Sequence, residues 1–269
     1  MTQIKPFVKW AGGKSQLLSE LKNRVPKSYS RYIEPFIGGG ALLFELSPKM
    51  AIINDSNIEL TNTYEIIKKY PDKLILDLKK HKNEEEYFYK IRALKSESLN
   101  PISRASRLLY LNRTCFNGLW RVNQKNEFNT PFGNYENPKI LNEELLLEVS
   151  NFLQNVEIYG EDFEEFLLEV SKKGDFIYLD PPYHPVSKYS DFNRYTKKSF
   201  KEEEQNKLAN LFKKLDKRGC KLLQSNSNSE FIKELYKEYI IEEVYAKRNI
   251  NKDSTKRGAI KELLIRNYE

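Results

Sequence analysis

The 269-residue sequence predicts an α/β protein with a Rossmann-like sheet and an inserted, mainly helical domain. Two observations support this prediction. Short runs rich in β-branched and aromatic residues alternate with helical patterns near both ends of the chain, as in a parallel sheet covered by helices. Residues 57–115, by contrast, have helical patterns almost throughout and lack this strand alternation, which predicts an inserted domain of about 59–145. A sheet interrupted by a helical insertion accounts for both observations.

The first predicted helix, from Ser15 to about Arg24, follows a glycine turn in residues 5–14. The pair Gly12-Gly13 lets the backbone approach a ligand closely. The triplet Gly13-Lys14-Ser15 also matches the end of a nucleotide-phosphate loop. That alternative fails on spacing, because its first glycine would fall at Val8 and no adequate strand precedes it.

A second glycine turn, Gly38-Gly39-Gly40, follows the predicted strand Tyr32–Phe36 and opens a helix predicted over Ala41–Leu46. Such a turn leaves room for a cofactor against backbone N–H groups and the positive end of the helix. Asp55 follows the next apolar stretch, Met50–Ile53, at a position where an acid commonly hydrogen-bonds a ribose. Asp55 is alternatively a helix N-cap, a role that the serine after it can also fill.

The remaining elements follow from periodicity and from proline breaks. Residues 57–115 are predicted to be helical, with breaks at Pro71 and Pro101. Further helices are predicted at 142–153, 163–170, 201–217 and 228–236, and further strands at 156–159, 176–179, 221–225, 240–247 and 259–267. The last two strands are expected to pair through a basic turn.

The tetrapeptide Asp180-Pro181-Pro182-Tyr183 follows the apolar run Phe176–Leu179. Two prolines cannot continue a strand, so the chain must turn at Asp180, at the carboxyl end where open α/β sheets bind ligands. The Asp180 carboxylate and the Pro181 carbonyl can accept both hydrogens of an exocyclic amino group, and Tyr183 can stack on its ring. The alternative is an ordinary strand-ending turn with a solvated aspartate.

Composition favours a polyanionic partner. The net charge is +7 and the pI is about 9.0. Basic residues are segregated, with seven Lys or Arg against one acid in residues 1–31, six against two in 101–139, and six against one in 245–261. Two cysteines and two histidines lack metal-ligand spacing, so no metal and no disulfide framework are expected. The sequence lacks a membrane span and a signal peptide, which predicts a cytoplasmic protein without membrane contact.

Four motifs in order link the sequence to a known family. They are Lys9-Trp10-Ala11-Gly12-Gly13-Lys14, Pro35-Phe36-Ile37-Gly38-Gly39-Gly40, Asn54-Asp55 and Asp180-Pro181-Pro182-Tyr183. With them the sequence resembles the Dam-type DNA adenine methyltransferases of the D12 class, which methylate adenine N6 within GATC. The resemblance covers nearly the whole chain. It implies a Rossmann-like methyltransferase sheet in a catalytic domain of residues 1–58 and 146–269, and a target-recognition domain of residues 59–145 that contains a β-hairpin.

The resemblance also implies the cofactor, S-adenosylmethionine, and its site. The residues expected to bind it are Trp10, Ala11, Gly12, Lys14, Glu34, Pro35, Phe36, Gly38, Gly40, Asp55, Asp162, Phe163 and Asp180. Asp162 is expected to bind the adenine amino group of the cofactor, with Phe163 nearby. An N-cap for the helix 163–170 is its alternative role.

Residues 113–139 interleave aromatic, basic and amide side chains around glycine turns. This composition suits base edges, phosphates and an unstacked base step. From the residues alone, a β-hairpin with a half-buried aromatic face is the alternative. Residues 184–200 combine turn composition with excess positive charge, which indicates either a loop that closes over DNA or an ordinary solvated loop.

The resemblance assigns roles on double-stranded DNA within residues 113–139. It implies that Arg121 reads a guanine in the major groove, Leu119 touches a thymine methyl group and Pro131 packs on a thymine. Phe116 and Asn117 are expected to enter the space left by the flipped adenine. The other expected DNA contacts are Lys9, Arg113, Asn123, Lys139, Lys188 and Arg194.

The expected reaction is a direct in-line attack of N6 on the methyl sulfonium, after the adenine has left the stack. The catalytic residues are Asp180, Pro181, Pro182 and Tyr183, and the amino proton leaves after methyl transfer because a neutral aryl amine is too weak an acid. Rival functions are adenine methylation in RNA, a catalytically silent DNA-binding protein and cytosine N4 methylation. A restriction endonuclease of the same specificity is an expected partner, and the sequence leaves the oligomeric state open.

Overall fold

The computed structural model describes residues 4–123, 125–185, 200–247 and 259–269. The strands in this part of the chain are β1 (Tyr32–Glu34), β2 (Ala51–Asn54), β3 (Val156–Tyr159), β4 (Phe176–Leu179), β5 (Lys221–Ser227), β6 (Ile240–Lys247) and β7 (Ala259–Arg266). They form one sheet in the order β3-β2-β1-β4-β5-β7-β6. Strands β1 to β5 are parallel, whereas β7 lies antiparallel between β5 and β6. The predicted α/β class with a Rossmann-like methyltransferase sheet is confirmed.

Ten α-helices accompany the sheet within the described ranges. They are α1 (Leu18–Lys22), α2 (Ala41–Leu46), α3 (Ile58–Lys69), α4 (Pro71–Leu78), α5 (Glu85–Ala93), α6 (Pro101–Thr114), α7 (Glu143–Leu153), α8 (Phe163–Val170), α9 (Glu202–Lys217) and α10 (Glu230–Leu235). None of these helices is both long enough and apolar enough to cross a lipid bilayer.

Among the predicted boundaries that differ from the structure, two have clear local reasons. Strand β1 ends at Glu34 rather than Phe36, because Pro35 has no N–H with which to continue the ladder. Helix α1 begins at Leu18 rather than Ser15, because residues 15–17 form a turn. Lys14, just before that turn, lies near the carboxyl end of β4, where its side chain pairs with Asp180.

The two faces of the sheet are covered by different helices. On one face, Tyr32, Ile53 and Phe176 pack in a single apolar cluster with buried side chains of α2, α3, α4, α6 and α7. On the other face, Ile33 and Ile177 pack with buried residues of α8, α9 and α10. The helices of residues 59–145 therefore share one core with the sheet. The division of the chain into two domains stays a prediction.

In the segment of the predicted β-hairpin, residues 113–139, the described residues form no regular strand pair. Two isolated antiparallel bridges, Cys115 to Phe132 and Val122 to Phe128, close it instead. Between them, the Asn123 side chain accepts the Lys125 and Glu127 N–H groups at 2.9 and 3.0 Å. Side-chain bonds of this kind compete with a regular ladder, so the segment forms a bridged loop.

Candidate active site

The carboxyl ends of β1, β2 and β4 open into one cleft with a volume of about 2730 Å³. Buried Asn54, at the end of β2, joins the neighbouring strand ends: its Nδ2 donates to the Pro35 and Glu161 carbonyls at 3.1 Å each, and its Oδ1 accepts the Glu161 N–H at 2.8 Å. Small-molecule sites usually measure about 300–1,000 Å³. The cleft therefore has room for more than one ligand.

The cleft brings together most of the residues that the sequence predicted. They are Lys9, Trp10, Ala11, Gly12, Lys14, Glu34, Pro35, Phe36, Gly38, Gly40, Asp55, Asn117, Leu119, Asn123, Asp162, Phe163, Asp180, Pro181, Pro182 and Tyr183. Phe116, Arg113, Arg121, Pro131 and Lys139 do not line it, and Lys188 and Arg194 lie outside the described residues.

The turn at residues 38–40 is packed against the N-terminal segment. Gly38 has a φ of +46°, and a Cβ built on it would lie 2.8 Å from Cδ1 of Trp10. Gly40 has a φ of +69° and precedes α2 as its N-cap residue. The hydroxyl of Tyr64, on α3, donates to the Gly38 carbonyl at 3.1 Å. Glycine is required here both by the left-handed backbone and by the close approach of the indole ring.

Asp55 fixes this turn from the end of β2. Its carboxylate accepts the Gly38 N–H at 3.0 Å and the Asn57 N–H at 2.9 Å. Loss of solvation raises the pKa of Asp55 to about 6, although both backbone donors oppose the shift. The N-cap of α3 is Asn57, which accepts the Glu59 and Leu60 N–H groups. The alternative role of Asp55 or Ser56 as that N-cap is therefore wrong.

Asp180 lies in a network of hydrogen bonds at the end of β4. Its Oδ1 is 2.9 Å from Nζ of Lys14 and accepts the Ser225 hydroxyl at 2.7 Å. Lys14 is only 8% exposed and also donates to the Gly12 carbonyl at 2.7 Å. Ser225 in turn lies 3.1 Å from the Tyr178 hydroxyl. Asp180 is thus held by a cation and a hydroxyl, unlike the solvated aspartate of a simple turn.

The backbone after Asp180 is anchored by α9 and β5. Gln205 donates from Nε2 to the Pro182 carbonyl at 2.9 Å, and its Oε1 accepts Nδ2 of Asn226 at 3.0 Å. Asn226 also accepts the His184 N–H at 3.3 Å. Sequence reasoning missed Ser225, Gln205 and Asn226. The signal for Ser225 and Asn226 was a polar run, Gln224 to Ser227, inside a buried strand, where each polar group needs a partner.

A cluster of aromatic rings lines part of the cleft. The ring centroids of Phe36 and Phe163 are 5.3 Å apart, and Phe200 lies within 5.9 Å of both. Asp162 accepts the Glu164 N–H at 3.0 Å and is the N-cap of α8. Its predicted capping role is confirmed, while its carboxylate still lines the cleft.

Glu34 is buried at the end of β1, next to the same cleft. Its Oε2 accepts the Tyr32 hydroxyl at 2.7 Å. Burial raises the pKa of Glu34 well above its ordinary value, and the nearby carboxylates of Asp180 and Asp55 add to the shift. A cationic ligand group would favour the ionised form of Glu34.

The turn Phe116–Gly118 lies beside the cleft and is tied to the N-terminal segment by Asn112. This amide is completely buried, accepts the Lys9 N–H at 2.9 Å, and donates to the Lys9 and Gly118 carbonyls at 2.8 and 3.0 Å. Asn117 has a φ of +56°, and the Phe116 ring is 49% exposed. Phe116 and Asn117 thus lie in a turn that Asn112 links by hydrogen bonds to the N-terminal segment.

The other predicted DNA contacts occupy different environments. Arg121 is exposed, and its Nε donates to Oδ1 of Asn129 at 2.8 Å. Pro131 and Lys139 are also exposed. Arg113 is half-buried and donates to the Phe7 carbonyl at 2.7 Å, a contact that holds the N-terminal segment. Its contact with DNA stays a prediction.

Both cysteines are buried, and neither lines the cleft. Burial raises the pKa of the Cys115 thiol to about 12 and that of the Cys220 thiol to about 11. A thiol with such a pKa remains protonated at neutral pH and is a poor nucleophile. Within the described ranges, no group of three or more His, Cys, Asp or Glu side chains is arranged to hold a metal ion.

Comparison with known proteins agrees with this geometry. The family described as D12 class N6 adenine-specific DNA methyltransferase matches residues 10–250. A type II methyltransferase from Lactococcus lactis subsp. cremoris is 43% identical over 98% of this chain and 96% of its own length. A type II methyltransferase from Methanocaldococcus jannaschii is 43% identical over 99% and 100%, and a DNA adenine methylase from Haemophilus influenzae is 35% identical over 97% and 92%. The chain therefore belongs to the D12 class of N6 adenine-specific DNA methyltransferases.

Proposed function

We propose that this enzyme transfers a methyl group from S-adenosylmethionine to N6 of a flipped-out adenine within GATC in duplex DNA. The observation that carries the proposal is the Asp180 corner, which opens into the same cleft as the glycine turn at residues 38–40. A base and a cofactor held in that cleft meet at the end of β4. The GATC sequence rests on the resemblance of the recognition residues.

The donor groups of the cleft fit the cofactor. A side chain at Gly38 would fill space beside Trp10, and Asp55 offers a carboxylate to ribose hydroxyls next to that turn. Glu34 and Asp180 suit an ammonium group, and Lys14 suits a carboxylate. The contacting rings of Phe36 and Phe163 offer an apolar surface for one face of an adenine ring, with Asp162 as acceptor for its amino group. When bound, S-adenosylmethionine supplies an electrophilic methyl group on a sulfonium.

The Asp180 corner acts on the target base. We assign to Asp180 and the Pro181 carbonyl the acceptance of both N6 hydrogens, which turns the nitrogen lone pair outward. Tyr183 provides the stacking surface, and Pro182 fixes the backbone between them through its carbonyl bond to Gln205. Lys14 and Ser225 both bind Oδ1 of Asp180, which leaves its second carboxylate oxygen to accept an N6 hydrogen.

Direct transfer, without a covalent enzyme intermediate, is supported by the state of the cysteines. Neither Cys115 nor Cys220 lines the cleft, and both thiols are buried and have raised pKa values. The amino proton leaves only after methyl transfer, because the methylated nitrogen is then positively charged and strongly acidic.

The DNA surface lies beside the cleft. We assign to Phe116 and Asn117 the space left by the flipped adenine, since their turn projects at the cleft rim. Arg121, Leu119 and Pro131 read the flanking bases. The backbone contacts come from Lys9, Arg113, Asn123, Lys139, Lys188 and Arg194.

Two relatives are named type II methyltransferases. Their names extend the proposal to a companion restriction endonuclease that cleaves the same unmethylated site. DNA methylated by this enzyme is then expected to resist an endonuclease that cuts only unmethylated GATC.

The test of the proposed function compares two duplexes that differ only in whether GATC is intact or scrambled. With labelled S-adenosylmethionine, the label is expected at adenine N6 in the intact duplex alone. Label in both would refute the roles of Arg121 and Leu119, and label only in RNA or at cytosine N4 would refute the substrate. The variant Asp180→Ala is expected to abolish turnover while binding of the cofactor weakens only partly. An active Asp180→Ala enzyme would refute the catalytic assignment.

A further inference from the structure

Glu262 on β7 forms the strongest contact to the catalytic corner that sequence reasoning did not anticipate. The Tyr183 hydroxyl donates to Oε2 of Glu262 at 2.6 Å, across 79 positions of sequence. Glu262 is half-buried and lines the cleft. It lies opposite Ser227 in the pairing of β7 with β5, so it sits near the end of the strand that carries Ser225.

The orientation of β7 explains how the carboxylate reaches the site. Side chains of a strand alternate between the faces of the sheet. Leu263 packs among the apolar residues on the α8 to α10 face, and Leu264 packs on the opposite face. Glu262, two positions before Leu264, therefore shares its face and meets Tyr183 at the cleft.

Hydrogen bonds on both sides of Tyr183 fix its backbone, but they do not reach the hydroxyl end of its ring. Gln205 holds the Pro182 carbonyl on one side of Tyr183, and Asn226 holds the His184 N–H on the other. Nζ of Lys14 lies 4.5 Å from the ring centroid. A side chain with a fixed backbone still turns about two torsions, and a hydrogen bond at the ring tip removes that freedom.

We propose that Glu262 is a positioning residue that holds the Tyr183 ring, through its hydroxyl, in the orientation on which the target adenine stacks. This inference rests on the proposed function, because it assigns the ring a base-stacking role. The carboxylate does not touch the base or the cofactor in this role. Its contribution is to keep the stacking surface preformed, so that the base loses less orientational freedom when it becomes aligned with the methyl donor.

The experiment is a double-mutant cycle on the full-length enzyme with a GATC duplex. Tyr183→Phe keeps the ring and removes the hydroxyl, and Glu262→Ala removes the acceptor. Each single variant is expected to lower kcat about tenfold, as the loss of one strong hydrogen bond predicts. The double variant is expected to lose no more than either single variant. Glu262→Gln, which keeps an acceptor, is expected to recover most of the rate.

A second readout separates positioning from a merely structural effect. 2-Aminopurine at the target position fluoresces strongly when unstacked, so a loosely held ring in Glu262→Ala should give a brighter enzyme-bound signal than wild type. The KM for S-adenosylmethionine should stay unchanged. Glu243→Ala is the matched control, because this glutamate on neighbouring β6 pairs with Lys261 and Lys233. The control should match wild type.

The inference would be overturned if the double variant lost kcat by the product of the two single losses. It would also be overturned if Glu262→Ala showed the same 2-aminopurine fluorescence as wild type. The same result would leave the proposed function intact. If wild-type enzyme itself fails to methylate the duplex, the proposed function fails first, and the cycle is then not interpretable as base positioning. If Glu262→Ala does not fold, Tyr183→Phe carries the test alone, because it removes the same hydrogen bond from the other side. Wild-type kcat together with wild-type 2-aminopurine fluorescence in Tyr183→Phe would then overturn the inference.

Discussion

Replacement of Gly38 by alanine adds one methyl group at the most crowded point of the glycine turn. The new Cβ would lie 2.8 Å from Cδ1 and 3.3 Å from Nε1 of Trp10. The backbone there has a φ of +46°, a region that costs a non-glycine residue about 1–2 kcal/mol. Overpacking against a fixed ring adds about 1–3 kcal/mol. Gly38→Ala should therefore lower the free energy of unfolding by about 2–5 kcal/mol.

The neighbouring position provides a matched control. A Cβ on Gly39 would lie 3.4 Å from Cβ of Trp10, which is ordinary contact, and its φ is not positive. Gly39→Ala should therefore change stability by less than about 1 kcal/mol. Urea denaturation followed by circular dichroism measures both variants, and calorimetric titration measures their affinity for S-adenosylmethionine.

Gly38→Ala should also bind S-adenosylmethionine more weakly than Gly39→Ala, because only Gly38→Ala forces the Trp10 ring to move. The change in Trp fluorescence on folding provides a direct check of that movement. If Gly38→Ala and Gly39→Ala unfold at the same urea concentration and bind the cofactor equally well, the reasoning from this contact is refuted.

Three further predictions concern charge and buried polar groups. Affinity for S-adenosylmethionine should fall about tenfold per pH unit below about pH 6. The reason is that Asp55, with its pKa raised to about 6, becomes protonated. Titration calorimetry from pH 5 to 8 measures this affinity. The raised pKa makes the folded state relatively more stable below about pH 4, an advantage that is lost as the pH rises through 6. Asn112→Leu removes three hydrogen bonds between a completely buried amide and the backbone and should cost about 3 kcal/mol in urea denaturation. Arg31→Met leaves Asp175, which is completely buried, without its cation and should cost about 3–5 kcal/mol.

Each of these predictions has a control in the same chain. Asp55→Asn should bind the cofactor weakly with no step near pH 6, and a step that persists would assign the titration to another group. Asn62→Leu removes one exposed hydrogen bond, to Pro101, and should change stability little. Lys90→Met breaks an exposed pair with Glu86 and should be nearly silent. Equal losses in a variant and its control would contradict the argument from burial.

Much of the fold was predictable because its signals are local. The strands 156–159, 176–179 and 240–247 and the helices 41–46 and 163–170 agree with their predicted bounds residue for residue. Errors arose where a distant contact or a side-chain bond overrides periodicity. Lys14 is held at the sheet edge before α1, and Asn123 replaces a strand ladder with a bridged loop.

The candidate site was predictable where its residues are neighbours in sequence. The Asp180 corner and the glycine turn each form a continuous motif, and the structure brings both into one cleft. The supporting residues are separated from the corner by long stretches of chain, as with Ser225 and Glu262, so no local pattern connects them. A buried polar run in a strand is the one signal that pointed to such partners.

The single core shared by the sheet and the helices of residues 59–145 limits how this enzyme can acquire a new target sequence. Exchange of the whole helical segment for that of another methyltransferase would disrupt the packing beneath the catalytic sheet, because residues such as Leu60, Ile67 and Leu108 fill it. The bridged loop at residues 115–132 rests on this core with exposed side chains at its rim. Given the proposed role of this loop in reading the target bases, we expect new specificity to be most accessible by grafting short stretches of it onto an unchanged helical scaffold.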